Sequence, residues 1–439
     1  MAKKSYIAII IAIMIIISSI GFILIFQDEK TITDTNKEPK EKPIPCSYIL
    51  QDFPYTGQKN SVTCYYAGLT MIFKYLGCDT NLEEILFYSG VGYSLIYQKS
   101  KLNNPPIPGF IISQSFEDME FVASLYNSTS SFWYPSVDTN ENKNWEGYWI
   151  RLKENISQDK PIITSVNPFL LPSFQKQFDI PNGIWDDLSP GAHAIVIVGY
   201  NESNNSVCFN DPAIEYFGDA KDGKYVWVKI DVLKEAVSKT AGTKFFILSF
   251  EINSKKIPKE IVFKKANKRN INKLKGIVSA YGNFSSDLKK FKIGIEAVKE
   301  FKNDLKFGLK YRTKTILSYK IQGMAFKKIK RNLLINSLIL NIPYSEWSFL
   351  VSENNNFNII AQDKESMYVF LKNSDYSKVK IYEAFKQESN YWNEIADIYD
   401  IFLKKGFMLT SIRANFLMFR INKLTDKIID IQDEIISEG

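Results

Sequence analysis

Gln58-Lys-Asn-Ser-Val-Thr-Cys64-Tyr-Tyr-Ala-Gly-Leu-Thr-Met-Ile-Phe-Lys-Tyr-Leu-Gly77 reads as a turn running straight into a helix. The stretch from Pro54 to Thr63 is turn-rich. From Cys64 to Leu76, by contrast, Ala67, Met71 and Tyr75 fall on one face at helical spacing, with Ile72 beside them. Gly77 supplies the stop. Cys64 therefore falls at the helix N-terminus, where the dipole and the first N–H groups favour a thiolate, the reactive form of cysteine. Gln58, six residues upstream, can return across the turn and bring its side-chain amide to the same helix start. With the backbone N–H of Cys64 it makes a pair of donors suited to a developing oxyanion.

A second stretch answers the first. Pro190-Gly-Ala-His193-Ala-Ile-Val-Ile-Val-Gly-Tyr200 places the only histidine of the chain at the head of a β-branched run that reads as a buried strand. The Asn-rich residues 201–206 turn the chain. Val207 to Phe209 reads as the returning strand of a hairpin, ended by Asn210 and Asp211. Taken singly, a histidine before an apolar strand is an ordinary structural residue. Taken with a cysteine at a helix start and an acid after the hairpin, the order is that of nucleophile, base and a residue that fixes the base's tautomer. The candidate catalytic residues are Cys64, His193 and Asp211, with Asn210 as the alternative orienting residue and Gln58 at the oxyanion hole.

Cys46, Cys78 and Cys208 complete the cysteines. With no Cys-x-x-Cys and a single histidine they match no zinc pattern, and neither a metal nor another cofactor is expected. Four cysteines exclude a dense disulfide framework, and one bridge among these three stays open. Cys208 reads as an inward strand residue. Cys78 lies just past a helix end, where the dipole disfavours a thiolate, so neither competes with Cys64.

The 439 residues allow two or three domains, and 45% hydrophobic with 14% aromatic content argues for packed cores. After Lys3 and Lys4, the uncharged, Ile-rich segment 6–26 is long enough to span a hydrocarbon core of about 30 Å. It reads as a signal anchor in the lipid bilayer, uncleaved because no small-x-small site follows. The positive-inside rule then puts the N-terminus in the cytoplasm and the body outside it. Residues 28–45 read as a flexible tether. Asn-x-Ser/Thr sequons at Asn127, Asn155, Asn201, Asn204 and Asn283 agree with that location. The net charge is +7, yet residues 255–331 hold 23 basic residues against 5 acidic ones. These read as solvated lysines on helix faces, with contact to an anionic surface as the alternative. Nucleic acid is not expected, because no recognised motif is present.

Gln58 through Gly77 and His193 through Pro212 resemble the two signature blocks of the papain-like cysteine peptidase superfamily. Within it they are most similar to the double-glycine leader peptidase-like group, which shows Gln, then Cys-Gly-x-Ala and a helix ending in Tyr-x-Gly. Later that group shows His, an apolar strand ending in Gly-Tyr, and Asn-Asp-Pro. This chain departs from the pattern at Tyr65, where the group usually has Gly. Glu83-Glu-Ile-Leu-Phe-Tyr-Ser-Gly90-Val-Gly-Tyr-Ser-Leu-Ile-Tyr97 and Pro161-Ile-Ile-Thr-Ser-Val-Asn-Pro168 are similar to butirosin-biosynthesis protein H. The resemblance implies an acyl-enzyme on cysteine. It leads either to peptide cleavage, as in the first group, or to transfer of an acyl group to an amine, as in the second.

The expected fold class is α+β. A papain-like domain over 46–253, with a Cys-bearing helix on an antiparallel sheet that carries His and Asp, follows a transmembrane anchor (1–27) and linker (28–45). A basic, mostly helical domain occupies 254–439. The expected activity is hydrolysis of a peptide or other acyl substrate, favoured over acyl transfer because carrier-bound acyl donors are cytoplasmic. An inactive papain-like binding module is the remaining reading.

Overall fold

The computed structural model describes residues 43–98, 109–111, 115–135, 141–174, 192–213, 223–253, 256–277, 291–305, 344–375, 377–405 and 411–439. The chain divides into two compact units, one of residues up to Ile85 with Asp118–Ile257, the other of Leu86–Glu117 with Pro258–Gly439. Residues 86–117, inside the expected 46–253 domain, thus group with the second unit.

The first unit is built on an antiparallel sheet. Its strands are β1 (Ser47–Ile49), β4 (Ser128–Trp133), β5 (Ile162–Val166), β6 (His193–Asn201), β7 (Ser206–Asn210), β8 (Val226–Lys229) and β9 (Ile247–Ile252). Their order is β4-β9-β5-β6-β7-β8, with β1 also paired to β6. Strand β6 is buried from His193 to Tyr200, which is why its sequence is a continuous apolar run instead of an alternating one. Helices cover both faces of the sheet. Against one lies α1 (Cys64–Tyr75), where a Cβ on Gly68 would stand 3.2 Å from Val196 and 3.3 Å from Ile163. Against the other lies α4 (Glu141–Ile156), whose Tyr148 hydroxyl donates to Thr164 at 3.0 Å. Ile163 and Thr164 are neighbours in β5, so their side chains point to opposite faces.

Helix α1 departs from the one-sided pattern expected of it. Every residue from Cys64 to Phe73 is buried, as befits a helix that is apolar nearly all round. Gly77, at φ +83°, turns the chain out of it. Helix α2 (Leu82–Ser89) leads into the second unit, α3 (Phe116–Leu125) leads back, and α5 (Ile230–Ser238) packs on β5, β7 and β8.

The second unit holds the three-stranded sheet β10-β2-β3, formed by β2 (Ile96–Gln98), β3 (Gly109–Ile111) and β10 (Phe291–Ile293). With it go helices α6 (Lys259–Leu274), α7 (Tyr344–Lys372), α8 (Val379–Lys405) and α9 (Ser411–Glu438). Its core is aromatic. The Trp392 ring stacks on Phe357 at 5.7 Å and meets Phe110 edge-on at 5.4 Å. A fully buried ion pair, Lys364 Nζ to Glu388 Oε1 at 2.9 Å, joins α7 to α8. Glu388 Oε1 also accepts from Trp392 Nε1 and Gln432 Nε2, at 3.2 and 2.7 Å.

Two expectations are corrected here. The fold is α+β with an antiparallel sheet and helices, but among the described residues no helix is long and apolar enough to cross a membrane. Helix α9 has the length, yet Arg413, Arg420, Lys423, Asp426, Lys427 and Asp430 break its apolarity at almost every turn. The transmembrane helix in the expected fold class, and the single-pass location with the body outside the cytoplasm, are overturned on this ground. The anchor segment 6–26 itself lies outside the described residues, as does the tether 28–42. The location-based preference for hydrolysis over acyl transfer falls with them.

Candidate active site

Cys64 is the first residue of α1 and is 5% exposed. Thr63, at the N-cap, makes no side-chain cap with the helix. Its hydroxyl instead accepts from the backbone N–H groups of Lys59 and Asn60, at 3.0 and 3.2 Å. That wiring holds the turn before Cys64 in one shape. The helix itself is set on the sheet by Gly68, one turn after Cys64 on the same side. A Cβ there would crowd the side chains of Val196 and Ile163.

His193 opens β6 opposite Val166 of β5. Its Nε2 lies 2.8 Å from Asp211 Oδ1, with the two side chains 7% and 0% exposed. The ring also shares a hydrogen bond with the Cys64 side chain. Since Nε2 is committed to Asp211, Nδ1 is the nitrogen left to face the sulfur. Burial alone would lower the pKa of this imidazole. The charge and hydrogen bond of Asp211, with Cys64 on the other side, outweigh burial and raise it to about 10. A histidine that keeps its proton beside a thiol favours the thiolate.

Asp211 follows the end of β7. Its Oδ1 also accepts the backbone N–H of Ala213 at 3.0 Å, and its own N–H donates to Gly223 at 2.7 Å. Asn210 turns elsewhere. Its Nδ2 donates to the Pro54 carbonyl at 3.2 Å, and its Oδ1 accepts the N–H of Tyr225 at 2.8 Å. Gln58 is buried, its backbone N–H donates to the Pro212 carbonyl at 3.0 Å, and its Oε1 has no hydrogen-bond partner among the described residues. The turn carrying Gln58 and the turn carrying Asp211 are thereby tied directly to each other.

Sequence reasoning missed the residues that hold these turns together. The Tyr55 hydroxyl donates to the Asp211 carbonyl at 2.8 Å. The Tyr225 hydroxyl accepts from Phe53 N–H at 2.7 Å and donates to the Leu50 carbonyl at 2.9 Å. Nothing local marks either tyrosine. Gly68 had a visible signal, a glycine inside an apolar helix, which points to close packing. Tyr65 is 5% exposed, so its ring is packed within the protein.

The remaining cysteines stand apart. Cys46 is exposed, Cys78 half-buried and Cys208 buried, and no disulfide joins any of the four cysteines. Burial pushes the Cys208 thiol up to about 12. Among the described residues no His, Cys, Asp and Glu cluster could hold a metal ion.

A helix-borne cysteine on an antiparallel sheet that carries histidine and aspartate is the arrangement of a papain-like thiol enzyme. The model of the Peptidase_C39 like family matches residues 50–232, which include every residue of this site. The match supports a relationship to the papain-like cysteine peptidases and a hydrolase-like function, and gives no support to the butirosin-type resemblance. No curated protein matches the chain.

Proposed function

We propose that the first unit is a cysteine hydrolase that cleaves peptide or other amide bonds through an acyl-enzyme. The observation that carries this reading is the buried series in which Cys64 and Asp211 hydrogen-bond to the same His193 ring. The proton of Cys64 passes to Nδ1 of His193, and Asp211 holds the resulting imidazolium through Nε2. The thiolate attacks the substrate carbonyl carbon. The oxygen, now negative, is received by the Gln58 side-chain amide and the Cys64 backbone N–H. The imidazolium protonates the leaving amine as the C–N bond breaks, leaving a thioester on Cys64. His193 then takes a proton from water, which attacks the thioester and releases the acid and the free cysteine. The match to a peptidase-like family supports hydrolysis as the outcome of the second step.

The test is the pH dependence of iodoacetamide labelling at Cys64, beside His193→Ala, followed by incubation with a peptide library and mass analysis of products. Fast labelling well below the ordinary thiol range of about 8.5, lost in His193→Ala, and cleavage lost in Cys64→Ala are the expected results. An ordinary thiol profile, unchanged by His193→Ala, would leave the unit a binding module.

A further inference from the structure

The helical unit contains a cavity of about 640 Å³ bounded by α6, the end of α7, the start of α8 and the end of α9. Its floor is apolar, with Phe263, Ile271, Leu371 and Ile381 on it. Its rim is basic. Lys264 and Lys268 on α6 and Lys275 just past its end recur at spacings of four and seven, which places them on one side of the helix, and Lys378 contributes from just before α8.

Two carboxylates also line the cavity, and both are already matched. Glu260 pairs with Lys264 at 2.6 Å, and Glu438 with Lys378 at 3.4 Å. Lys268 and Lys275 have no acidic partner among the described residues. On a convex helix face such lysines would be plain solvated charges. Here they stand beside an apolar floor, and Asn267 and Asn272 line the same cavity as neutral polar residues.

We propose that this cavity binds a small phosphorylated molecule, its phosphate held between Lys268 and Lys275 and its apolar body resting on Phe263 and Ile271. Two unmatched ammonium groups balance the charge of a phosphate monoester, between about −1.5 and −2 at neutral pH, where one carboxylate would balance only one of them. The volume lies within the range of small-molecule sites, about 300–1,000 Å³. The apolar floor asks for more than a bare ion.

The probe is phenyl phosphate, followed by saturation-transfer NMR on the full chain, with phenol, inorganic phosphate and an oligoglutamate peptide in parallel. The phenyl ring protons of phenyl phosphate are expected to receive saturation, and phenol is expected to receive none. In Lys268→Gln/Lys275→Gln the affinity falls by about tenfold, the loss expected from removing charge-assisted contacts. Both lysines are exposed, so the double variant keeps its thermal unfolding midpoint. Absence of saturation, or equal binding by the double variant, overturns the proposal. Inorganic phosphate binding as tightly as phenyl phosphate removes the role given to the floor. Displacement of phenyl phosphate by oligoglutamate at lower concentration reassigns the surface to acidic polypeptides and overturns it as well.

Discussion

Gly68 packs closely on Val196: a Cβ on the glycine would lie 3.2 Å from the valine Cγ2, tighter than an ordinary contact. This approach fixes the depth at which α1 sits on the sheet, and with it the distance from Cys64, one turn earlier, to the ring of His193. Gly68→Val is expected to cost about 1–3 kcal/mol through overpacking and to slow alkylation of Cys64 markedly. Gly68→Ala should do less of both. Urea unfolding and iodoacetamide kinetics on the two variants check this, and unchanged alkylation in Gly68→Val would deny the glycine its positioning role.

Asp211 and Asn210 are adjacent, but only Asp211 touches the imidazole. In Asp211→Asn the largest favourable influence on the His193 proton is gone, so the alkaline limb of the labelling profile moves down from near 10. Asn210→Ala leaves that limb where it is. It lowers stability by about 1–3 kcal/mol, because the Pro54 carbonyl and the Tyr225 N–H lose their partner. A shift of the limb in Asn210→Ala would reverse the assignment.

The same raised pKa has a consequence for stability. A histidine that holds its proton more tightly when folded stabilises the native state fully below its unfolded value of about 6.5. That contribution drains away as pH rises from there through the folded value near 10. Equilibrium unfolding of the wild type should therefore weaken between pH 7 and 10 by more than that of Asp211→Asn. Parallel curves for the two proteins would show that the proton is not held as described.

Alkylation should also rank the four cysteines. Cys64 reacts first, and exposed Cys46 follows. Cys78, raised mainly by burial, is slower. Cys208, buried and pushed up to about 12, reacts only on unfolding. Peptide mapping after timed quenching reads the order directly, and early modification of Cys208 would contradict it.

In the helical unit, Lys364 and Glu388 neutralise each other with no exposure to solvent. Lys364→Met leaves a buried carboxylate without its cation and should cost about 3–5 kcal/mol. Lys364→Met/Glu388→Leu should cost less than Lys364→Met, although Trp392 and Gln432 then lose an acceptor. Denaturant unfolding of the two variants decides it. A double variant weaker than the single one would mean that the hydrogen bonds to Glu388 outweigh its charge.

What the sequence by itself determined are the features that local periodicity controls. A helix start at Cys64, a strand start at His193 and a hairpin over 201–206 are each written in the spacing of neighbouring residues, and the structure has all three. The hydropathy of residues 6–26 was equally legible as a pattern, but the expectation built on it for the whole chain did not survive. The tyrosines that tie the site's turns together, the buried charges of the helical unit and the grouping of residues 86–117 with that unit all depend on contacts far apart in sequence.

The choice between Asn210 and Asp211 shows why only the tertiary structure decides such matters. Strand β7 pairs with β6 through a bulge between Ile197 and Gly199, and the bulge brings Asn210, not Asp211, opposite Val196. Asn210 therefore faces α1, where its Nδ2 reaches the Met71 sulfur at 3.7 Å, and Asp211 is left to meet His193. A shift of one residue in strand register exchanges the two faces. No local spacing encodes that shift: Gly199, at the bulge, is also paired with Ile49 of β1, a residue far away in sequence.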